Sequence, residues 1–233
     1  MLKIDFHTHI LPTVDDGSQD IRLSLEMLQE EARQGIDVVV LTPHFYGWRD
    51  RIENFIEKRN RAFQELVDAT KGEAYPTLVC GCEAAYFNGM SNAPGIERLT
   101  IDGTKTLMLE MPMQEWSRTV VDEVIEMKHK GFNIVLAHIE RYLEENSRYV
   151  DQLLDRGILL QVNGGSLAKW PGNRKLLKMF EQGRAHVIGS DCHSMGRRRP
   201  NMDEARKAIG KKLGNDKLDE IDRLGTMLIG KEE

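Results

Sequence analysis

His7 and His9 stand one residue apart in the stretch LKIDFHTHIL, which is otherwise strand-like and apolar. Side chains at i and i+2 of a strand point the same way, so both imidazoles project together with Thr8 opposite. Imidazole is the commonest side-chain metal ligand, and the acidic pair Asp15 and Asp16 follows at once in TVDDG. A metal centre is therefore expected here, against the plainer alternative of two strand-end polar groups satisfied by backbone.

The same residue types recur along the chain, each just after an apolar run. TPH supplies His44, CGCEAAY supplies Glu83, and LEMP supplies Glu110. AHIER supplies His138 and Arg141, QVNGGS supplies Gln161 and Asn163, and SDCHS supplies Asp191 and His193. Five of the seven histidines fall at such positions, while His129 reads as helical and His186 as the start of a strand. About nine nitrogen and oxygen donors are more than one four-coordinate zinc needs. They suit two or three divalent ions bridged by carboxylate, and mixed imidazole and carboxylate donors fit Zn, Mn or Fe rather than Mg or Ca.

The elements that must position these groups follow one grammar. An amphipathic helical stretch ends at glycine and an apolar strand follows, at Gly35, Gly131, Gly157 and Gly183. In the first helix Ile21, Leu25, Leu28 and Ala32 recur at helical spacing and predict the core-facing stripe. Strands are predicted over 38–41, 77–79, 107–109, 134–137, 158–162 and 186–188, which with the first makes seven. Continuous rather than alternating hydrophobicity points to strands covered on both faces, as in parallel sheets. Strands alternating with helices imply an α/β fold. No Gly-rich dinucleotide fingerprint is present, so a (β/α) barrel is favoured over an open doubly wound sheet. In such a barrel, chemistry sits at the C-terminal ends of the strands, where all these donors fall. From Met202 onward, charged helices packing on the outside are expected.

The 233 residues carry 40% hydrophobic and 30% charged side chains, a globular composition with no internal linker, so a single domain over 1–233 is expected. A net charge of −5 argues against nucleic acid as a partner. No apolar run approaches the ~20 residues of a membrane span. The start of the sequence lacks a basic segment followed by an apolar core, and the cysteines number three, an odd count. Reduced thiols and a cytoplasmic location are expected.

Taken together, H-x-H, the lone His after strand two, the Glu after strand three, the His after strand five and D-x-H after strand seven resemble the polymerase and histidinol phosphatase (PHP) superfamily. Within it, FHTHILPTVDDGS, TPH, LEMP, AHIERY and SDCH resemble the bacterial capsule-type metal-dependent tyrosine phosphatases. The resemblance implies a distorted seven-stranded, TIM-like barrel with a trinuclear site, Mn being the favoured metal. It implies one ion held by His7, His9, Glu83 and Asp191; a second held by Glu83, Glu110 and His138; and a third held by Asp16, His44 and His193. It also implies roles for Arg141 and Arg198, and a partner that is a phosphotyrosine protein, such as a tyrosine kinase of capsular or exopolysaccharide synthesis.

A metal cluster suits phosphomonoester hydrolysis, among the slowest of uncatalysed reactions. It lowers the pKa of bound water to ~7 and neutralises charge on the phosphoryl oxygens. Arg141 and Arg198 would add bidentate phosphate contacts. Phe45, Tyr46, Trp48, Tyr86 and Phe87 follow strands two and three, and are expected to rim the mouth and hold a phenyl phosphate. Hydrolysis of phosphotyrosine in proteins is the predicted activity, with histidinol phosphate or another small ester as the alternative. CHSMGRR matches the C-x5-R spacing of cysteine-dependent phosphatases, but an extended strand would turn Cys192 away from Asp191 and His193. Amidohydrolases share H-x-H yet usually close on a lone Asp, unlike Asp191-x-His193. A non-catalytic, metal-containing binding partner of a polysaccharide-assembly kinase is the alternative of another class.

Overall fold

The computed structural model describes residues 1–169 and 171–231; residues 170, 232 and 233 of the predicted domain lie outside them. The chain alternates strand and helix as its patterning requires. β1 (Ile4–Thr8), β2 (Val38–Leu41), β3 (His44–Tyr46), β4 (Thr77–Cys80) and β5 (Glu83–Ala85) form the first half, with α1 (Ile21–Arg33) and α2 (Ile52–Ala69) between them. β6 (Thr106–Glu110), β7 (Asn133–Leu136), β8 (Leu159–Asn163) and β9 (Val187–Gly189) follow. They are spaced by α3 (Arg118–His129), α4 (Ser147–Leu154), a short α5 (Gly164–Leu167) and α6 (Asn173–Glu181). α7 (Met202–Leu213) and α8 (Asn215–Leu228) complete the fold.

Every strand pairing is parallel. One sheet has the order β1-β2-β4 and the other β3-β5-β6-β7-β8-β9. The seven predicted strands are thus nine among the described residues, because two of them break. The first break is at Thr42-Pro43, where proline has no N–H for a ladder; the second is at Gly81-Cys82. The ladders do not close into one barrel. Backbone bonds nevertheless bridge both breaks, from Thr42 N to Thr8 O, Gly81 N to Leu41 O and Glu83 N to Pro43 O. β1 also meets the segment after β9, through Asp191 N to His7 O and His9 N to Cys192 O.

Alternate strand residues enter different cores. Val38, Val40, Met108 and Val135 pack in one cluster with Ile4 and Phe6, and Val39, Leu41, Leu107, Leu109, Ile134 and Leu136 in another beneath the helices. Both strand faces are covered, which is why the strands lack alternation. The helix-terminating glycines at 35, 131, 157 and 183 all take positive φ, from 67° to 93°, a region open to Gly at no Cβ penalty.

Two expectations are corrected. The buried face of α1 is Ser24, Met27, Leu28 and Glu31, so Ile21, Leu25 and Ala32 sit only half-buried. Ser24 donates to Ile10 O at 2.6 Å and Glu31 lies against Asp5 of β1, while Ile21 and Leu25 pack on the edge of the core that Met27 and Leu28 enter. α8 is not merely an outer helix. Leu228 and Ile229 are 6% and 5% exposed and fill the core cluster of Ile4 and Phe6, and Thr106 Oγ1 donates to Leu228 O at 2.7 Å.

Candidate metal centre

The donors identified in the sequence converge at the C-terminal side of the strands. His7 is the penultimate residue of β1 and His9 follows the strand; Glu110 ends β6; His138 follows β7; Asp191 and His193 follow β9. The strand breaks serve this convergence, because His44 and Glu83 open β3 and β5 and are direct register partners. His138 and Asp191 have φ of +34° and +54°, a region non-Gly residues enter only when their surroundings hold them there.

Glu83 is the hub. It is fully buried, with carboxylate oxygens 2.7 Å from His138 Nε2, 2.9 Å from His44 Nδ1, 3.2 Å from His7 Nε2 and 3.4 Å from His9 Nε2. His44 Nδ1 and Glu83 Oε2 are close yet have no hydrogen-bond partner. At this centre three groups bring ligand atoms within 4.8 Å of one another: His7, His9 and Asp191; His44, Glu83 and Glu110; and His9, Asp16, His44 and His193; a fourth such group, Asp5, Glu31 and Cys192, contains none of these donors. His138 reaches Glu110 Oε1 at 3.7 Å as well as Glu83.

The outer hydrogen bonds decide which ring nitrogens face inward. His7 Nδ1 meets Gln161 Oε1 at 3.2 Å, and His9 Nδ1 meets Asp15 Oδ2 at 2.6 Å. Those acceptors assign the proton of each neutral ring to Nδ1, which leaves Nε2 as a lone pair. The two Nε2 atoms then stand 3.1 Å apart, pointing at Glu83 and Asp191. Two lone pairs and two carboxylates at this separation repel unless a cation lies among them. The donor set therefore fits divalent metal.

Asp15 and Asp16 differ in role. Asp15 is buried, orients His9 and also accepts from the backbone N–H groups of His44 and Gly17. Asp16 is 69% exposed and lies 3.7 Å and 3.6 Å from Nε2 of His44 and His193. Burial opposes charge on Asp15, but His9 and its hydrogen bonds hold this carboxyl below the usual range. Burial likewise opposes charge on Asp191 and Glu83. Positive charge beside them more than offsets it, carried by protonated His7 and His9 at Asp191 and by His7 and His138 at Glu83, and a metal ion among neutral imidazoles would supply the same charge. Glu110, penalised by burial and by Glu83, is raised.

Gln161 and Asn163, named from the sequence as strand-end residues, support these ligands through hydrogen bonds the sequence did not show. Gln161 Oε1 accepts from His138 N at 2.6 Å, Gln161 Nε2 donates to Asn163 Oδ1 at 2.9 Å, and Asn163 Nδ2 donates to Asp191 Oδ2 at 2.8 Å. Their place at the end of β8 was the only sequence signal for them. Gly189 is fixed by the same crowding, since a Cβ there would lie 2.5 Å from His7 Cβ.

Arg141 and Arg198 both reach Asp191, each at 2.7 Å. The aromatic rim is corrected. Phe45 is 1% exposed and packs on Phe55, so it gives only a covered edge to the cavity beside Asp16 and His44, and the Tyr86 hydroxyl is turned away to Glu123 at 2.6 Å. Phe87 also packs against the core. Tyr46 is half-buried and stacks on His44, with ring centroids 5.2 Å apart. Cys192 is fully buried, and burial raises its thiol well above the ordinary range, which argues against a thiolate nucleophile.

Fold and site together define a parallel α/β protein with a buried imidazole–carboxylate centre whose donor set fits divalent metal. Residues 3–228 match the model of the CpsB/CapC family of capsular polysaccharide synthesis, and the chain belongs to that family. It is 31% identical to the tyrosine-protein phosphatase CpsB of Streptococcus pneumoniae, over 94% of each chain. It is 28% identical to the tyrosine-protein phosphatase YwqE of Bacillus subtilis, over 91% of this chain and 86% of that one. Among solved structures, one from work on YwqE and CpsB, described as unique metal-dependent tyrosine phosphatases, superposes with a TM-score of 0.84 at 24% identity, covering 99% of this chain and 95% of that one. A TatD-family hydrolase from Entamoeba histolytica shares the general fold, with a TM-score of 0.59 at 13% identity over 100% and 99% of the two chains. No described helix is long and apolar enough to cross a membrane.

Proposed function

We propose that this chain is a metal-dependent phosphomonoesterase that hydrolyses phosphotyrosine in proteins and acts in capsular or exopolysaccharide synthesis. The observation that carries it is the pair of Nε2 atoms of His7 and His9, 3.1 Å apart and turned onto Glu83 and Asp191. The family and the printed activity of its relatives support the substrate class.

The residues that would hold two or three ions are His7, His9, Asp16, His44, Glu83, Glu110, His138, Asp191 and His193, with Mn favoured over Fe or Zn. Bound there, such ions supply Lewis acidity towards phosphoryl oxygens and a lowered pKa for water. The protein supplies the rest. Glu83 keeps four imidazoles around one carboxylate, and Gln161 and Asp15 keep His7 and His9 in the ligating tautomer. Arg141 and Arg198, 35% and 39% exposed, sit at the solvent side of Asp191. Once Asp191 serves as a ligand, both guanidinium groups are released to take phosphoryl oxygens in planar contacts. The phosphate would then be held between cations and arginines, where its developing charge is neutralised.

The same proposal takes β2 with β3 and β4 with β5 as two broken staves of a seven-staved barrel, residues 1–233 as one domain and the cytoplasm as its location. A tyrosine kinase of polysaccharide synthesis is the proposed partner. The test is turnover of a phosphotyrosyl peptide against histidinol phosphate after chelation and Mn reconstitution. Chelator-sensitive preference for the peptide is expected, while preference for histidinol phosphate would make the enzyme a small-molecule phosphatase.

A further inference from the structure

Beyond the metal ligands, one surface feature is built rather than left over. His44, Tyr46 and Trp48 stand at alternate positions leaving β3, and their rings form a ladder. The centroids of His44 and Tyr46 are 5.2 Å apart at 22°, and those of Tyr46 and Trp48 are 5.0 Å apart at 40°. The ladder runs outward from the metal centre: His44 is 9% exposed, Tyr46 is half-buried, and Trp48 is 68% exposed. A lone exposed apolar residue is ordinary; what sets Trp48 apart is its place at the end of an aromatic ladder that starts at the metal centre.

The turn that presents Trp48 is pinned. Both Arg49 N and Asp50 N donate to Tyr46 O, at 2.9 and 3.0 Å. Gly47 lies so close to Phe87 that a Cβ would meet its ring at 2.7 Å. The backbone that carries the indole is therefore fixed, and Tyr46 supports one side of the ring, which lowers the ordering cost of a contact there. Arg49 beside it is exposed and forms no ion pair among the described residues. Tyr46 and Arg49 line a cavity of about 260 Å³ beside Asp16 and His44, with Val14, Phe45 and Phe55 as apolar lining, Lys58 as a second cation and Asp50 as a further carboxylate.

A phosphoryl group at the His44 end would put the tyrosine ring of a substrate beside Tyr46, and its main chain beyond the ring, at Trp48. Tryptophan, tyrosine and arginine are the residues that most often carry binding energy at protein contacts. Resting on the phosphotyrosine function proposed above, we infer that Trp48 and Arg49 bind the substrate's polypeptide on either side of the phosphotyrosine, with an acidic flanking side chain taken by Arg49. This makes the turn at residues 46–50 a specificity element for protein over small-molecule esters.

The wild-type protein first separates the two proposals. Turnover of p-nitrophenyl phosphate without turnover of any phosphotyrosyl peptide overturns the protein-phosphatase function itself. Given peptide turnover, Trp48→Ala and Arg49→Ala are each measured on an acid-flanked phosphotyrosyl peptide and on p-nitrophenyl phosphate. The ratio of peptide KM to p-nitrophenyl phosphate KM should rise about fivefold or more in each variant, and Trp48→Phe should recover most of the difference. Replacing the peptide's acidic flanks by alanine should raise KM for wild type and leave Arg49→Ala indifferent. A ratio that does not rise, both KM values rising together, or a wild-type KM blind to the acidic flanks overturns the inference.

Discussion

Arg141 and Arg198 grip opposite oxygens of a single carboxylate. Nη2 of Arg141 lies 2.7 Å from Oδ2 of Asp191, and Nη2 of Arg198 lies 2.7 Å from Oδ1. The same Asp191 faces Nε2 of His9 at 3.4 Å and that of His7 at 3.8 Å. One strained residue thus joins the proposed cation-binding groups to the proposed phosphate-binding groups.

Because both arginines act through one neighbourhood, their effects should not add. Arg141→Ala and Arg198→Ala are each expected to lower kcat/KM by about 10²-fold. The double variant should fall well short of the product of the two losses. Steady-state kinetics of the three variants on one aryl phosphate checks this, and strict multiplicativity would show that the guanidinium groups work independently.

Glu83 has no substitute within reach of four imidazoles. Glu83→Gln removes the charge and keeps the shape, so it should strip bound metal and lower kcat by at least about 10²-fold. Elemental analysis of purified protein, beside kinetics, reads both. Full metal content with full activity would remove Glu83 from the centre.

Asp15 and Asp16 should separate cleanly. Asp15→Asn loses the acceptor that orients His9, and metal affinity should fall about 10- to 100-fold. Asp16→Ala should lower metal content only at the cluster of His9, His44 and His193. Titration of Mn into apo-protein, counting sites and affinities, distinguishes an orienting carboxylate from a ligand.

Cys192→Ser should retain kcat within about threefold, since a buried polar group of similar size replaces one that performs no chemistry. Loss of turnover with metal content unchanged would bring the thiol back into the mechanism.

His186 makes folding pH-dependent away from the site. Burial lowers its pKa to about 4, and Leu160 N donates to Nδ1 at 3.0 Å, a bond only the neutral ring accepts. Between pH ~6.5 and ~4 the unfolded chain binds this proton and the folded chain does not, so its contribution falls as pH falls through that window. The loss is at most about 3 kcal/mol, and the half-buried position lowers that ceiling through solvent screening. Urea unfolding of wild type and His186→Gln at pH 7 and pH 5 should show the smaller pH effect in the variant. Equal effects would remove His186 as a source.

The residue types and their places at strand ends were legible in the sequence because both are local. A strand pattern ending in His, Glu or Asp delivers a ligand wherever the C-terminal ends of the strands meet, and the parallel α/β grammar requires them to meet. Local pattern also marked the helix-ending glycines and turned Cys192 away from Asp191 and His193. Tertiary structure alone decided the rest, since those properties belong to pairs distant in sequence. Gln161 and Asp15 set the tautomers of His7 and His9, with Gln161 lying 154 residues from His7. Burial of Phe45 under Phe55 reduced it to a covered edge of the cavity, the turn of Tyr86 to Glu123 took that hydroxyl away, and Tyr46 was left stacked on His44. Hydropathy can say that an aromatic ring will be covered. Only the packed neighbours determine whether protein or substrate covers it.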